Sequence, residues 1–276
     1  MYKRQVYDIE RDETGKVKKI ICGNHIIEGD IFIDCTGYKR IFSSKSDWVS
    51  FKDNLPMNSV TTFTRKHQES MVTKADKLKI GWCWQIPTQE RLGCGYVSCD
   101  EWGDDVVDEI KSNYSDAEIV KSFKFESGKL KKSWNHNVIS LGLAYHFLEP
   151  LQATNIHLTL VQIEMLCQKC IRDTKDRTLN PNVISYYNKH IDNLIEDFKN
   201  FINIHYSCDT RVKMTDYNNE IIDLLKVRGL FHEDILQAYG SCGIQLWGHT
   251  LLGLNHLTKQ DCHTFLSEMN SYDEVK

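Results

Sequence analysis

The chain has 276 residues, 41% of them hydrophobic, and a net charge of −4, enough material for one or two cores. Without a basic block interleaved with aromatics, nucleic acid is not an expected partner. No apolar run reaches transmembrane length and no signal-peptide pattern opens the chain, so no membrane partner is expected; ten cysteines without framework spacing read as reduced thiols of a cytoplasmic protein.

Met1-Tyr2-Lys3-Arg4-Gln5 matches what a sequencing-library transposase adapter encodes in one frame. Residues 1–5 are therefore read as a cloning or assembly scar, and the chain is expected to begin inside a longer protein. Val6–Ile9, Val17–Cys22 and Ile31–Cys35 read as strands, with Asp12-Glu13-Thr14-Gly15 turning the first into the second. The third ends in Asp34-Cys35-Thr36-Gly37, a small-residue turn that lets backbone approach a ligand closely; a plain hairpin with a glycine turn has the same pattern. Val60–Arg65 is a further strand. In Gly81-Trp82-Cys83-Trp84-Gln85-Ile86-Pro87, alternation puts Trp82, Trp84 and Ile86 on one face, and Pro87 ends the pairing. Tryptophans at this spacing ordinarily form sheet core. Arg91–Cys99 is another strand, whose Gly93 and Gly95 lack the third glycine of a phosphate cradle. Asp104–Tyr114 reads as a short acidic surface helix, and Phe123–Phe125 is expected to pair with Lys129–Trp134 across Glu126-Ser127-Gly128.

The stretch from 132 to 166 organises the rest. Asn137–Leu141 is a buried-strand pattern, Gly142–Ala153 a loop, and a long helix follows with Thr154 as its expected N-cap. Ile156, Leu160, Ile163 and Cys167 share one helical face and Leu158, Val161 and Met165 the adjacent one, so the helix is expected to be buried on both. Free N–H groups at Thr154 and Asn155 suit an anion or an electron-rich ring, although an ordinary capped core helix gives the same pattern. Cys167-x-x-Cys170 has no second cysteine or histidine pair nearby, so no metal site is assigned. Asn180-Pro181 opens a helix whose stripe of Ile184, Tyr187, Ile191, Leu194, Phe198 and Phe201 is core. Glu220–Arg228 reads as a last amphipathic helix with Gly229 at its C-cap.

Asp34-x-Thr36-Gly37, Trp82-x-Trp84-x-Ile86-Pro87, Lys132-Ser133-Trp134, Gly142-Leu143-Ala144, Phe147-Leu148-Glu149-Pro150-Leu151 and Thr154-x-Ile156-His157 together resemble the flavin-dependent halogenases of the tryptophan halogenase type, over most of residues 6 to 255. The resemblance implies an α/β fold of the glutathione-reductase-like FAD-dependent monooxygenase/halogenase kind, here partial. Residues 6–170 would be the remainder of the FAD module and 171–276 a mostly helical substrate-side region. It implies FADH2-dependent halogenation of an aromatic (an indole or tryptophan-like compound, a pyrrole or a phenol) through hypohalous acid. FAD, a halide ion and O2 would take part, with a separate flavin reductase and a small aromatic substrate as partners and a homodimer left open. FAD would lie against Asp34, Gly37, Trp82, Trp84, Ile86, Pro87, Phe147, Leu148 and Pro150. Halide would meet the backbone of Thr154 and Asn155, and substrate would lie near His205, Tyr206 and Tyr217. The two tryptophans would keep substrate from the flavin.

The chain also departs from that pattern. Gln152 stands where the family has a glutamate, and an amide cannot act as a general base at neutral pH; Glu149, in the Phe-Leu-Glu-Pro turn, reads as structural. Asp216-Tyr217 occupies the place of a Phe-Trp pair. No Gly-x-Gly-x-x-Gly is present, and the family's catalytic lysine lies N-terminal to the matched region, so no lysine here takes that role. The fragment alone is expected to be inactive. A flavin-dependent monooxygenase and a non-catalytic remnant or interaction domain are the alternatives.

Overall fold

Short β-branched runs punctuated by glycine turns, with four helices after the last strand, fix the order of elements in the computed structural model, which describes residues 5–66, 72–171, 180–235, 240–258 and 261. Residues 1–4, part of the segment read as a scar, lie outside the described residues. In chain order the elements are β1 (Asp8–Arg11), β2 (Val17–Cys22), β3 (His25–Glu28), β4 (Phe32–Asp34), β5 (Trp48–Ser50), β6 (Ser59–Lys66), β7 (Lys74–Lys77), β8 (Gly81–Pro87), β9 (Arg91–Ser98), α1 (Val106–Asn113), β10 (Glu118–Lys124), β11 (Gly128–Leu130), β12 (Trp134–Asn135), β13 (Val138–Ser140), β14 (His146–Phe147), α2 (Thr154–Met165), α3 (Pro181–Ile204), α4 (Asp216–Leu225) and α5 (Ile244–Gly253). They fall into two compact units, Met1–Val49 with Gly128–Lys276, and Ser50–Ser127. Among the described residues no helix is long and apolar enough to cross a membrane.

In the first unit the Asp12 carboxylate accepts from the N–H groups of Thr14 (2.9 Å) and Lys16 (3.0 Å), closing the turn between β1 and β2. β3 extends this antiparallel sheet and is exposed at every position, so it carries no apolar alternation to read in the sequence. β4 and β13 pair in parallel, with Phe32 opposite Val138, Ile33 opposite Ile139 and Asp34 opposite Ser140; β12 flanks β13 on the other side. Val17, Phe32 and Val138 form a small core. Buried Asn137 ties β2 to that pair by accepting from Val17 N and donating to Val17 O, at 2.9 and 2.8 Å.

α2 departs from its sequence reading in two ways. Its N-cap is Ala153 in the left-handed conformation rather than Thr154, which is the first helical residue. Only one of its two apolar faces is covered: Leu158, Val161 and Met165 are buried, whereas Ile156, Leu160 and Ile163 are 68, 60 and 41% exposed. The helix rests on α3 and on the Gly142 turn. Asn180 caps α3 as its sequence implies, accepting from Asn182 N at 2.9 Å, and the stripe from Tyr187 to Phe201 is buried, with Ile184 half-buried at its start. α4 begins and ends earlier than its apolar spacing suggests. Thr215 Oγ1 caps it by accepting from Asn218 N (3.2 Å), and it stops at Leu225, so Gly229 is not its C-cap.

The second unit is an antiparallel sheet in the order β10-β6-β9-β8-β7. One face packs Phe63, Cys83, Cys94 and Tyr96 against Ile110 and Tyr114 at α1. Trp82 and Trp84 are on the other face, so they are not part of that core; their rings lie 6.0 Å apart at 55°. Phe123–Phe125 and Lys129–Trp134 do not form the expected hairpin, because β10 pairs with β6 and β11 with β14. Phe123 finds Val60 opposite it, a better cross-strand partner than a lysine-rich segment. Gly128 is pressed against the backbone of Val49, where any side chain would overlap the carbonyl oxygen.

Trp84 lies across Gly95, and a Cβ at that glycine would fall inside the indole. A rigid ring cannot yield as a flexible chain end does. Gly95→Ala is expected to cost about 1–3 kcal/mol in urea unfolding and to shift tryptophan emission. Unchanged stability and emission would show that the ring is free to move.

Candidate functional site

Parallel strands that end together leave a crevice beyond their carboxyl ends, and that is where open α/β sheets bind ligands. Here β4 runs into Thr36-Gly37 and β13 into Gly142, and the two short 3-10 turns that follow, Gly37–Lys39 and Gly142–Ala144, pack together. Asp34 is fully buried at the end of β4. Its Oδ1 accepts from Thr36 N (2.9 Å) and Thr36 Oγ1 (2.6 Å), while Oδ2 has no partner. Gly37 has φ +66, and the place of a Cβ there is open for 4 Å, so backbone is presented without a side chain in the way. The Tyr38 ring meets Phe147 edge-on at 5.4 Å, joining this turn to the loop after β13; burial pushes the Tyr38 hydroxyl up to about 12.

That loop is held firmly at its base. Leu148 N donates to Asn155 Oδ1 (2.8 Å), and Asn155 Nδ2 donates back to Leu148 O (2.6 Å). Fully buried Glu149 accepts from the Tyr206 hydroxyl. Beyond Pro150 the backbone is strained: Gln152 (φ 58) and Ala153 (φ 53) are both left-handed, an unusual pair for residues with a Cβ. A left-handed residue followed by right-handed helix turns successive N–H groups toward one side, which makes a concavity for an anion. Here Ala153 N–H already donates to Pro150 O (3.4 Å), which leaves the amides of Thr154 and Asn155, at a helix start that carries partial positive charge. The Thr154 side chain is 3% exposed and its Oγ1 has no partner. Gln152 is exposed.

Of the candidate residues, Asp34, Gly37, Phe147, Leu148, Pro150, Gln152, Thr154 and Asn155 belong to these two turns and the loop between β13 and α2, and Tyr206 reaches the same loop through Glu149. His205 and Tyr217 belong elsewhere in the unit. His205 packs edge-on to Phe201 (5.0 Å), Phe201 and Tyr217 flank Trp247 at 5.4 and 6.0 Å, and the Tyr217 hydroxyl donates to Asp234 O (3.0 Å). Burial holds the His205 imidazole below its usual range. Trp82, Trp84, Ile86 and Pro87 are carried by the second unit: Trp82 is buried, Trp84 and Pro87 half-buried, and Ile86 44% exposed. Cys167 is exposed and Cys170 buried, both as free thiols.

Gln162 was not singled out from the sequence. It is fully buried in α2, accepts from Gly142 N (3.1 Å) and donates to Ser133 Oγ (3.2 Å), fixing the helix to the glycine turn. A glutamine inside an otherwise apolar helical face is the signal that marks it.

The fold is similar to those of solved flavin-dependent halogenases. Against the tryptophan 6-halogenase of Streptomyces toxytricini the TM-score is 0.78 at 23% identity, covering 90% of this chain and 53% of that one. Against a flavin-dependent halogenase of Brevundimonas sp. BAL3 it is 0.79 at 22% identity, covering 93% and 56%. The tryptophan 7-halogenase of Lentzea aerocolonigenes is 24% identical over 221 residues, 75% of this chain and 41% of that protein. The tryptophan halogenase family model matches residues 1–226, and the chain belongs to that family. It spans about two fifths of the length of the Lentzea relative.

Proposed function

We propose that this chain is the halide-binding part of an FADH2-dependent halogenase that acts on a small aromatic substrate. The observation that carries the reading is the left-handed Ala153 leading into α2, which turns the N–H groups of Thr154 and Asn155 together beside the carboxyl ends of β4 and β13. Weakly hydrated chloride or bromide suits such a site without a formal cation. The surroundings fit a flavin. The orphaned Asp34 Oδ2 can accept from a ribityl-type hydroxyl, and the open Gly37 backbone admits close approach. When bound, reduced FAD with O2 supplies the oxidising equivalent that makes halide electrophilic.

The chain's own residues bind and position. Thr154 and Asn155 hold halide through their amides, the Asn155–Leu148 pair keeps those amides aligned, and Glu149 with Tyr206 fixes the loop to the end of α3. Gln152 donates or accepts hydrogen bonds at the rim and removes no proton, so substrate deprotonation falls to another group or to water. The family resemblance assigns Trp82 and Trp84 to keeping substrate from the flavin, and His205, Tyr206 and Tyr217 to the substrate. A separate reductase supplies FADH2. With a dinucleotide-binding half in place, the protein is expected to brominate an indole, pyrrole or phenol only when halide is present. Hydroxylation of the same substrate without halide would make it a monooxygenase instead.

With no Gly-x-Gly-x-x-Gly in its sequence, the 276-residue chain alone is expected to purify colourless. Stoichiometric yellow flavin in that product would contradict this assignment of the cofactor's binding groups.

A further inference from the structure

In the first unit, α3 and the chain around β12 enclose a groove that the proposed halogenation leaves unused. On α3, Ile184, Asn188 and Asp192 recur every four residues, and so do Ser185, Lys189 and Asn193, which makes two adjacent rows along the helix. Residues 131–136 face them. Asn188 clamps the two together: its Oδ1 accepts from Trp134 N and its Nδ2 donates to Trp134 O, both at 2.8 Å. The Trp134 indole is fixed as well, donating to His136 O (3.0 Å) and meeting the Tyr187 ring edge-on at 5.7 Å. The space between strand and helix is about 640 Å³, within the range of small-molecule sites. Buried Trp134 and half-buried Ile184 give it an apolar floor.

The charge around the groove is one-sided. Lys131, Lys132 and Lys189 line it, are exposed, and make no ion pair among the described residues. Asp192, the carboxylate in the lining, already accepts from Lys129 Nζ and from the Tyr145 hydroxyl, each at 2.7 Å. Pro181, the first residue of α3, stands at the same rim, so the helix start adds partial positive charge. A smaller cavity of about 200 Å³ beyond Lys131 and Lys132 differs, because Arg11 and Asp47 both line it and their charges offset. An anion is therefore drawn to the larger groove. Three cations without counter-ions suit a phosphate monoester, which carries more than one negative charge near neutral pH, better than a single carboxylate. The Trp134–Ile184 floor favours an apolar or flat group on the ester side.

We infer that this groove binds a small phosphate monoester with an apolar or aromatic organic part, its phosphate held by Lys131, Lys132 and Lys189. The site is separate from the start of α2 and stands or falls independently of halide and flavin binding.

Phosphorus NMR titration of the 276-residue chain with phenyl phosphate and with inorganic phosphate, at low salt, tests it. Phenyl phosphate is expected to bind about tenfold more tightly than inorganic phosphate, since its ring buries apolar surface against Trp134 and Ile184. Lys131→Gln, Lys132→Gln and Lys189→Gln should each weaken phenyl phosphate about threefold, and the triple variant about thirtyfold. Lys121→Gln, on β10 of the other unit, should change nothing. All four lysines are exposed, so the urea midpoints of these variants are expected to match that of the parent. Phenyl phosphate that binds the triple variant as tightly as the parent would overturn the inference. Equal affinities for phenyl and inorganic phosphate would do the same, since the groove would then hold an adventitious ion only. So would an acidic peptide that binds through the same lysines more tightly than phenyl phosphate, because the occupant would then be a protein segment.

Discussion

Asn155→Ala is expected to lower the unfolding free energy by about 3 kcal/mol and to abolish halide binding in the same step. Asn155 satisfies both backbone groups of Leu148, which is fully buried, so alanine leaves a donor and an acceptor without partners away from water. The loop carrying left-handed Gln152 and Ala153 then loses the tie that opposes its backbone strain. Asn155→Asp separates stability from binding. It keeps the acceptor for Leu148 N, and its charge is favourable at a helix start, but the same charge repels halide. Urea unfolding and halide titration of both variants check this. A stable Asn155→Ala protein that still binds halide would remove the loop clamp from the account.

The second large effect lies away from the site. Asp197 of α3 is 3% exposed, and its Oδ2 accepts from Cys242 N (2.9 Å) just before α5, while Oδ1 has no partner. Burial raises its carboxyl from 3.8 to about 6. A raised carboxyl pKa favours the folded state fully below the unfolded value of 3.8, and that contribution is lost as pH rises through about 6. The loss amounts to about 3 kcal/mol, on the order of two pKa units. Asp197→Asn keeps an acceptor for Cys242 and removes the charge. Its stability relative to the parent is therefore expected to rise by about that amount between pH 4 and pH 8, roughly the window spanned by the two values. Parallel stability curves for the two proteins would show that Asp197 is hydrated or paired.

The sequence was most legible where one residue type has one physical reason to be there. The alternation and closing proline of Gly81–Pro87 gave β8 to the residue, and Asn180-Pro181 gave the start of α3. Helix α2 shows the limit. Two apolar faces are visible in the sequence, but which one has a neighbour depends on the position of α3 and the Gly142 turn. The Ala153 cap was also hidden, because alanine carries no preference for the left-handed conformation that the loop imposes. At the site, a helix start after a small-residue loop could be read from the sequence. The Asn155 clamp could not, since it depends on where the loop places Leu148. The trytophan motif could be read as a face but not as the side turned away from the core, which is decided by where α1 packs.

The central claim is that halide is held by backbone at the start of α2. Crystals soaked in bromide and measured at the bromine absorption edge test it most directly. The account predicts an anomalous peak against the amides of Thr154 and Asn155, retained in Gln152→Glu and absent in Thr154→Pro, which removes a donor outright. Bromide bound elsewhere, with no peak at those amides, would contradict it.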